Sequence, residues 1–232
     1  MIKLMKLELQ RLNLRPYYIS SIIFEIVLLM FNYFVAYVAQ VEQETQFMNY
    51  ANIFKFSGAI SILLFGVLSA TMYAKLIINE YAGKRLALLF SYPVSRKKIF
   101  MAKVMVVFCF LFVSMLLSTG IPIMIFAATE SFSPLIADTM SIPLLIQVFE
   151  MTAISIIAIS AIGILALGIG FLKKSTSATL ISAFILSGIY GNIAIGAAGN
   201  TSISLSVAGV SLLVVLIVLF TLSSKINQME VE

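Results

Sequence analysis

The chain has 232 residues, of which 61% are hydrophobic and only 11% charged, with a net charge of +5. Soluble domains sit near half apolar with about a quarter charged, so this balance and a mean hydropathy of +1.09 exclude an ordinary water-soluble domain and point to a chain solvated by lipid. Histidine is absent and the one cysteine, Cys109, lies in an apolar run, which excludes histidine-based acid–base, metal and triad chemistry and any disulfide framework.

Residues 2–15 read as an amphipathic helix, with Ile2, Met5, Leu9 and Leu12 at helical spacing and Lys3, Lys6, Arg11 and Arg15 as its cations. Such a helix lies in the membrane interface, apolar side down, and Pro16 breaks it and redirects the chain. A charged stretch precedes the first apolar run, which is too long for a signal peptide and has no small-residue cleavage site. Six apolar runs follow, at about 17–39, 56–79, 99–127, 151–172, 177–198 and 203–223. Each is close to or above the roughly 20 residues that cross about 30 Å of hydrocarbon, and helices satisfy the backbone internally there. The expected fold class is all-α: a polytopic bundle of six transmembrane helices (17–223) behind an interfacial helix (1–16), with a short tail (224–232).

The charges orient the bundle. Lys3, Lys6, Arg11 and Arg15 precede the first span; Lys75, Lys84, Arg85, Arg96, Lys97, Lys98 and Lys103 surround the second connection; Lys173 and Lys174 mark the fourth; Lys225 is in the tail. The other connections carry Glu42, Glu44, Glu130 and Asp138, with Lys55 as that side's sole cation. The positive-inside rule therefore places both termini in the cytoplasm, and the placement of the cations beside spans argues against nucleic acid as a partner.

Within the spans, Ala183, Ser187 and Gly191 lie four apart, as do Ala166 and Gly170, so each set forms a smooth stripe that admits a neighbouring helix. Residues 128–150, punctuated by Pro134 and Pro143, read as short helices at the outer leaflet. Glu25 and Asn32, inside the first span, make a candidate intramembrane polar site, since polar groups there are costly and are paired or functional. A salt bridge from Glu25 to Lys103 or Lys75 is one reading, and contact with cargo is the other.

The most informative stretch joins spans two and three, from Asn79-Glu80-Tyr81 to Ser95-Arg96-Lys97-Lys98. Leu86, Leu89 and Phe90 line one side of a short amphipathic helix, Ser91 and Pro93 end it, and Ser95 can cap the next helix. A short apolar-faced helix beyond the membrane suits a groove on another protein.

Here the sequence resembles the ABC-2 type permeases, the membrane subunits of a large group of ABC exporters. Those proteins have an acidic residue at the end of the second span, a Gly and a run of leucines, a Pro-Val/Leu-Ser/Thr-Arg segment, and a Lys in the third span. Glu80, Gly83, Leu88, Leu89, Pro93, Val94, Ser95, Arg96 and Lys103 match this pattern, while Lys84 stands where the family often has Thr. The resemblance also covers the amphipathic N-terminus, the six spans and the length.

The resemblance implies an ABC-2 (type V exporter-like) permease fold in a bacterial plasma membrane. It implies that segment 80–98 is a coupling helix held by a cytoplasmic ATPase, with Glu80, Gly83, Lys84, Leu88, Leu89, Pro93, Ser95 and Arg96 as coupling residues. The working unit would hold two permease chains, alike or different, and two ATPase copies, and would export hydrophobic or amphipathic peptides, peptide antibiotics, or phenol-soluble modulins. This chain has no G-x-x-x-x-G-K-[ST] loop; residues 168–175 come nearest and their spacing is wrong. No catalytic, cofactor-binding or metal-ligating residue is expected in it, and ATP and magnesium would belong to the ATPase. Two other readings stay open: a secondary transporter or channel not driven by ATP, and an ATPase-coupled membrane protein that signals without transporting.

Overall fold

The computed structural model describes residues 2–44, 46–81, 95–132, 135, 136, 138, 141–197 and 199–228, and all regular structure among them is helical. A short helix, α1 (Ile2–Arg11), precedes six long ones: α2 (Arg15–Glu42), α3 (Tyr50–Tyr81), α4 (Arg96–Phe132), α5 (Ile142–Lys173), α6 (Thr176–Ala197) and α7 (Thr201–Gln228). All six have the length and hydropathy of membrane spans. Each overruns the corresponding apolar run at one end or both, because a helix continues past the hydrocarbon to reach polar anchors.

Pro16 falls in the first turn of α2 and not at the end of α1. That position tolerates proline because the missing N–H has no helical partner there anyway. The chain breaks earlier, at residues 12–14. Residues 128–150 differ from expectation. Among the described residues they hold no separate short helix: 128–132 are the last turns of α4 and 142–150 the first turns of α5. Pro143 sits in the first turn of α5, where it starts a helix and does not end one.

Helices α3 and α5 form the middle of the bundle. α3 packs on α5 and α6, α5 on α6 and α7, and α2 on α4 and α3. The apolar stretch of α5 is 78% enclosed, against 22% for α6 and α7, so α5 is the shared wall and α6 and α7 present their large side chains outward. Close approach depends on small residues. A β-carbon at Gly163 of α5 would lie 2.5 Å from Ser69 Oγ and 2.8 Å from Tyr73 Cε2 of α3. Gly66 of α3 meets Ser187, and Gly170 of α5 meets Thr179. The stripe Ala183, Ser187 and Gly191 is buried, and it faces α3 within the same chain, with Gly191 against Ala59.

Candidate functional site

Helix α1 carries a single acidic residue, Glu8, among three basic residues and apolar neighbours, and Arg11, the last of the three, lies three positions on. Three-residue spacing puts both on one face, and that face packs against the base of the bundle. There α3 widens into a π-turn at Ala74–Ile78 before its last residues, Asn79–Tyr81. Such turns are rare inside α-helices and cluster at functional sites. Lys103, two turns into α4, is completely enclosed. Its ammonium donates to Glu80 Oε2 at 2.6 Å, Glu8 Oε2 at 3.2 Å and the Leu76 carbonyl at 3.3 Å. All three donors of the ammonium are thereby used. Arg11 reaches the other oxygen of Glu80 at 3.3 Å. Two cations and two carboxylates balance, which is the condition under which buried charge is tolerated. The cluster ties α1, α3 and α4 together at the end of the bundle that carries both termini.

Of the residues expected to couple, Glu80, Ser95 and Arg96 are described, whereas Gly83, Lys84, Leu88, Leu89 and Pro93 lie outside the described residues. The Ser95 carbonyl accepts from Lys98 N and Ile99 N, so Ser95 opens α4, and Arg96, half-buried, is its first residue. Sequence reasoning singled out Glu80 and Lys103 separately but missed Glu8; its signal is being the lone acid in an otherwise basic amphipathic helix.

The intramembrane pair behaves differently from expectation in one respect. Glu25 pairs with neither Lys103 nor Lys75. Lys103 is occupied by Glu8 and Glu80, and Lys75 lies 5.7 Å from the centre of the Tyr17 ring, a cation–π distance. Glu25 instead accepts from Ser118 Oγ at 3.4 Å. Ser118 also borders a small cavity of mixed lining, in which Asn32, Ser57, Ser61, Thr119 and Thr152 sit among apolar side chains of α2, α3, α4 and α5. Asn32 is buried there, and among the described residues neither atom of its amide has a hydrogen-bond partner. The cavity measures about 390 Å³, its open mouth included, with room for water beside the amide.

At the opposite end, Tyr50 holds the connection between α4 and α5. Its hydroxyl donates to Glu130 at 2.6 Å, and its backbone N–H donates to Asp138 at 3.0 Å. The Leu135 N–H also donates to Glu130. Asp138 thus places a carboxylate at the N-terminus of α3, where the helix dipole favours it. Tyr33 and Thr129 share a hydrogen bond nearby.

A family model described as ABC-2 family transporter protein matches residues 4–191, from within α1 to within α6. The chain belongs to the ABC-2 transporter family. The whole charge cluster, the Asn32 cavity and the Tyr50 contacts fall inside the matched range. This ABC-2 permease is also similar to the uncharacterized protein YcbO of Bacillus subtilis (strain 168), at 24% identity over 183 residues, 79% of this chain and 80% of that protein. No solved structure matches it. As an ABC-2 permease it is a multi-pass membrane subunit of an ABC transporter, distinct from the ATPase that works with it.

Proposed function

We propose that the chain is the permease half of an ATP-driven exporter, and that the segment 80–98 takes up the motion of a separate ATPase. The face bearing both termini would be cytoplasmic, in keeping with its basic residues. One observation carries this reading. Glu80, the first residue of the segment, is bonded at once to Lys103 of α4 and Arg11 of α1. A displacement of the segment therefore pulls on three helices together. Two permease chains, identical or different, would act with two ATPase copies, and the cargo would be hydrophobic or amphipathic peptides or peptide antibiotics, secreted or expelled for self-protection. The apolar walls and the modest polar content of the bundle support a greasy cargo over a charged one.

The test is to purify the tagged chain from its own host with the ABC ATPase that accompanies it, and to follow ATP hydrolysis and peptide export in proteoliposomes. Pro93→Ala with Arg96→Ala should reduce the ATPase bound. Glu80→Gln should leave it bound but weaken the response of hydrolysis to peptide. Export by the purified chain with no nucleotide-hydrolysing partner would overturn the reading.

A further inference from the structure

A second cavity lies between α3, α5, α6 and α7, toward the end away from the termini. It measures about 540 Å³, its open mouth included, and is lined mainly by apolar side chains such as Ile62, Ile154, Ala158 and Val207, with Lys55 at its edge. Along α3, Lys55, Gly58 and Ile62 occupy one face, as their spacing of three and four requires.

The level of Lys55 in the membrane follows from length. α3 has 32 residues, about 48 Å at 1.5 Å each, against about 30 Å of hydrocarbon. Roughly 9 Å therefore overhangs at each end, and Lys55, five residues from the start of α3, sits near the hydrocarbon boundary, where lipid phosphates are within reach of a lysine side chain. Among the described residues Lys55 has no salt-bridge partner. Below it the cavity follows α3 to Ile62, a further ~10 Å.

Gly58 keeps this space open. A β-carbon there would meet no atom within 4 Å, so close helix packing does not require the glycine. Glycine is also among the poorest helix formers. Its place in the interior of a spanning helix is accounted for by the room it leaves.

Apart from Lys55, the walls offer only hydroxyls, and their protons are already donated. Ser155 donates to the Met151 carbonyl, Ser204 to the Ala197 carbonyl, and Tyr190 shares a hydrogen bond with Ser211. A peptide segment entering here would bring carbonyl groups that no wall hydroxyl is free to meet, which is costly away from water. An alkyl chain makes no such demand. We propose that this cavity binds one acyl chain of an anionic phospholipid, with the lipid phosphate paired to Lys55.

The full-length chain should be reconstituted in nanodiscs of equal phosphatidylglycerol and phosphatidylcholine, transferred to detergent, and its retained lipids counted by native mass spectrometry. The wild-type chain should retain phosphatidylglycerol preferentially. Lys55→Met should lower that preference about fivefold, the ratio one lysine near an anionic surface supplies, and Lys55→Arg should keep it. Gly58→Leu should expel the retained lipid with the unfolding temperature unchanged; Lys55→Met, at a half-exposed edge, carries the test should Gly58→Leu misfold. An unchanged lipid preference in Lys55→Met overturns the proposal. So does retention of a co-reconstituted apolar peptide in place of lipid, or an Ile193→Cys disulfide joining two copies across the cavity.

Discussion

Glu80 and Lys103, on different helices and twenty-three positions apart, meet at 2.6 Å with the lysine wholly enclosed. Removing one partner of such a pair strands the other in a poorly solvating place. Lys103→Met leaves Glu8 and Glu80 facing each other without their shared cation, and should cost about 3–5 kcal/mol of stability. The double variant Lys103→Met/Glu80→Gln should recover part of that loss, because it removes a buried charge of each sign. Thermal unfolding of the detergent-solubilised chain measures both, and additive losses in the double variant would count against a direct pair. Lys103→Arg should also be poorly tolerated, since a planar guanidinium does not fit three acceptors placed around an ammonium.

The contacts of Gly163 and Gly170 leave no room for a side chain. Gly163→Ala and Gly170→Ala should each destabilise the bundle by about 1–3 kcal/mol through overpacking. Gly188→Ala and Gly209→Ala meet nothing within 4 Å and should be neutral or mildly stabilising, because alanine is the better helix former. A set of melting temperatures in one detergent separates the two groups, and equal behaviour of all four would refute the packing described.

Asn32 holds an amide in the middle of the bundle that has no partner among the described residues. An unsatisfied buried polar group costs about 1–3 kcal/mol, so Asn32→Leu, similar in size, should hold or raise the unfolding temperature. A clear fall would mean that waters in the adjacent cavity satisfy the amide.

Tyr50→Phe removes the hydroxyl from Glu130 but keeps the ring against Phe54 and Phe126. A hydrogen bond to a charged group contributes about 1.5–3 kcal/mol, and the loss should appear as a lower unfolding temperature. Tyr33→Phe, which loses only a bond between two hydroxyls, should be milder. The ranking of the two variants is the measurement that matters.

Six spans and their order were legible because crossing hydrocarbon imposes a length and a composition that single residues cannot disguise. The stripe at Ala183, Ser187 and Gly191 was legible for a similar reason: small residues four apart leave one smooth helix face. What sequence does not carry is the rotation of one helix about its axis relative to another. Glu25 therefore looked like a partner for Lys103 or Lys75, although Glu8, on a helix read only as a membrane-surface element, claims Lys103 together with Glu80. Pro143 reads in the sequence as a break, whereas it begins a helix, because a proline fits the first turn as well as it fits a stop. The cavity around Asn32 was visible as one unusual residue, but its serines and threonines come from three other helices and are unremarkable in any one of them.

The order of residues along the chain has a consequence for biosynthesis. A ribosome delivers Glu8 first, Glu80 next and Lys103 last. When the third span is handed to the bilayer, both anions that receive its cation have already been made. The lysine need never wait in oil for a counter-ion, and its helix can be inserted in a single step as a neutral element. A version of the gene in which the opening helix was moved to the far end would leave Glu80 alone to receive the lysine at that moment, with Glu8 arriving only after the bundle was made.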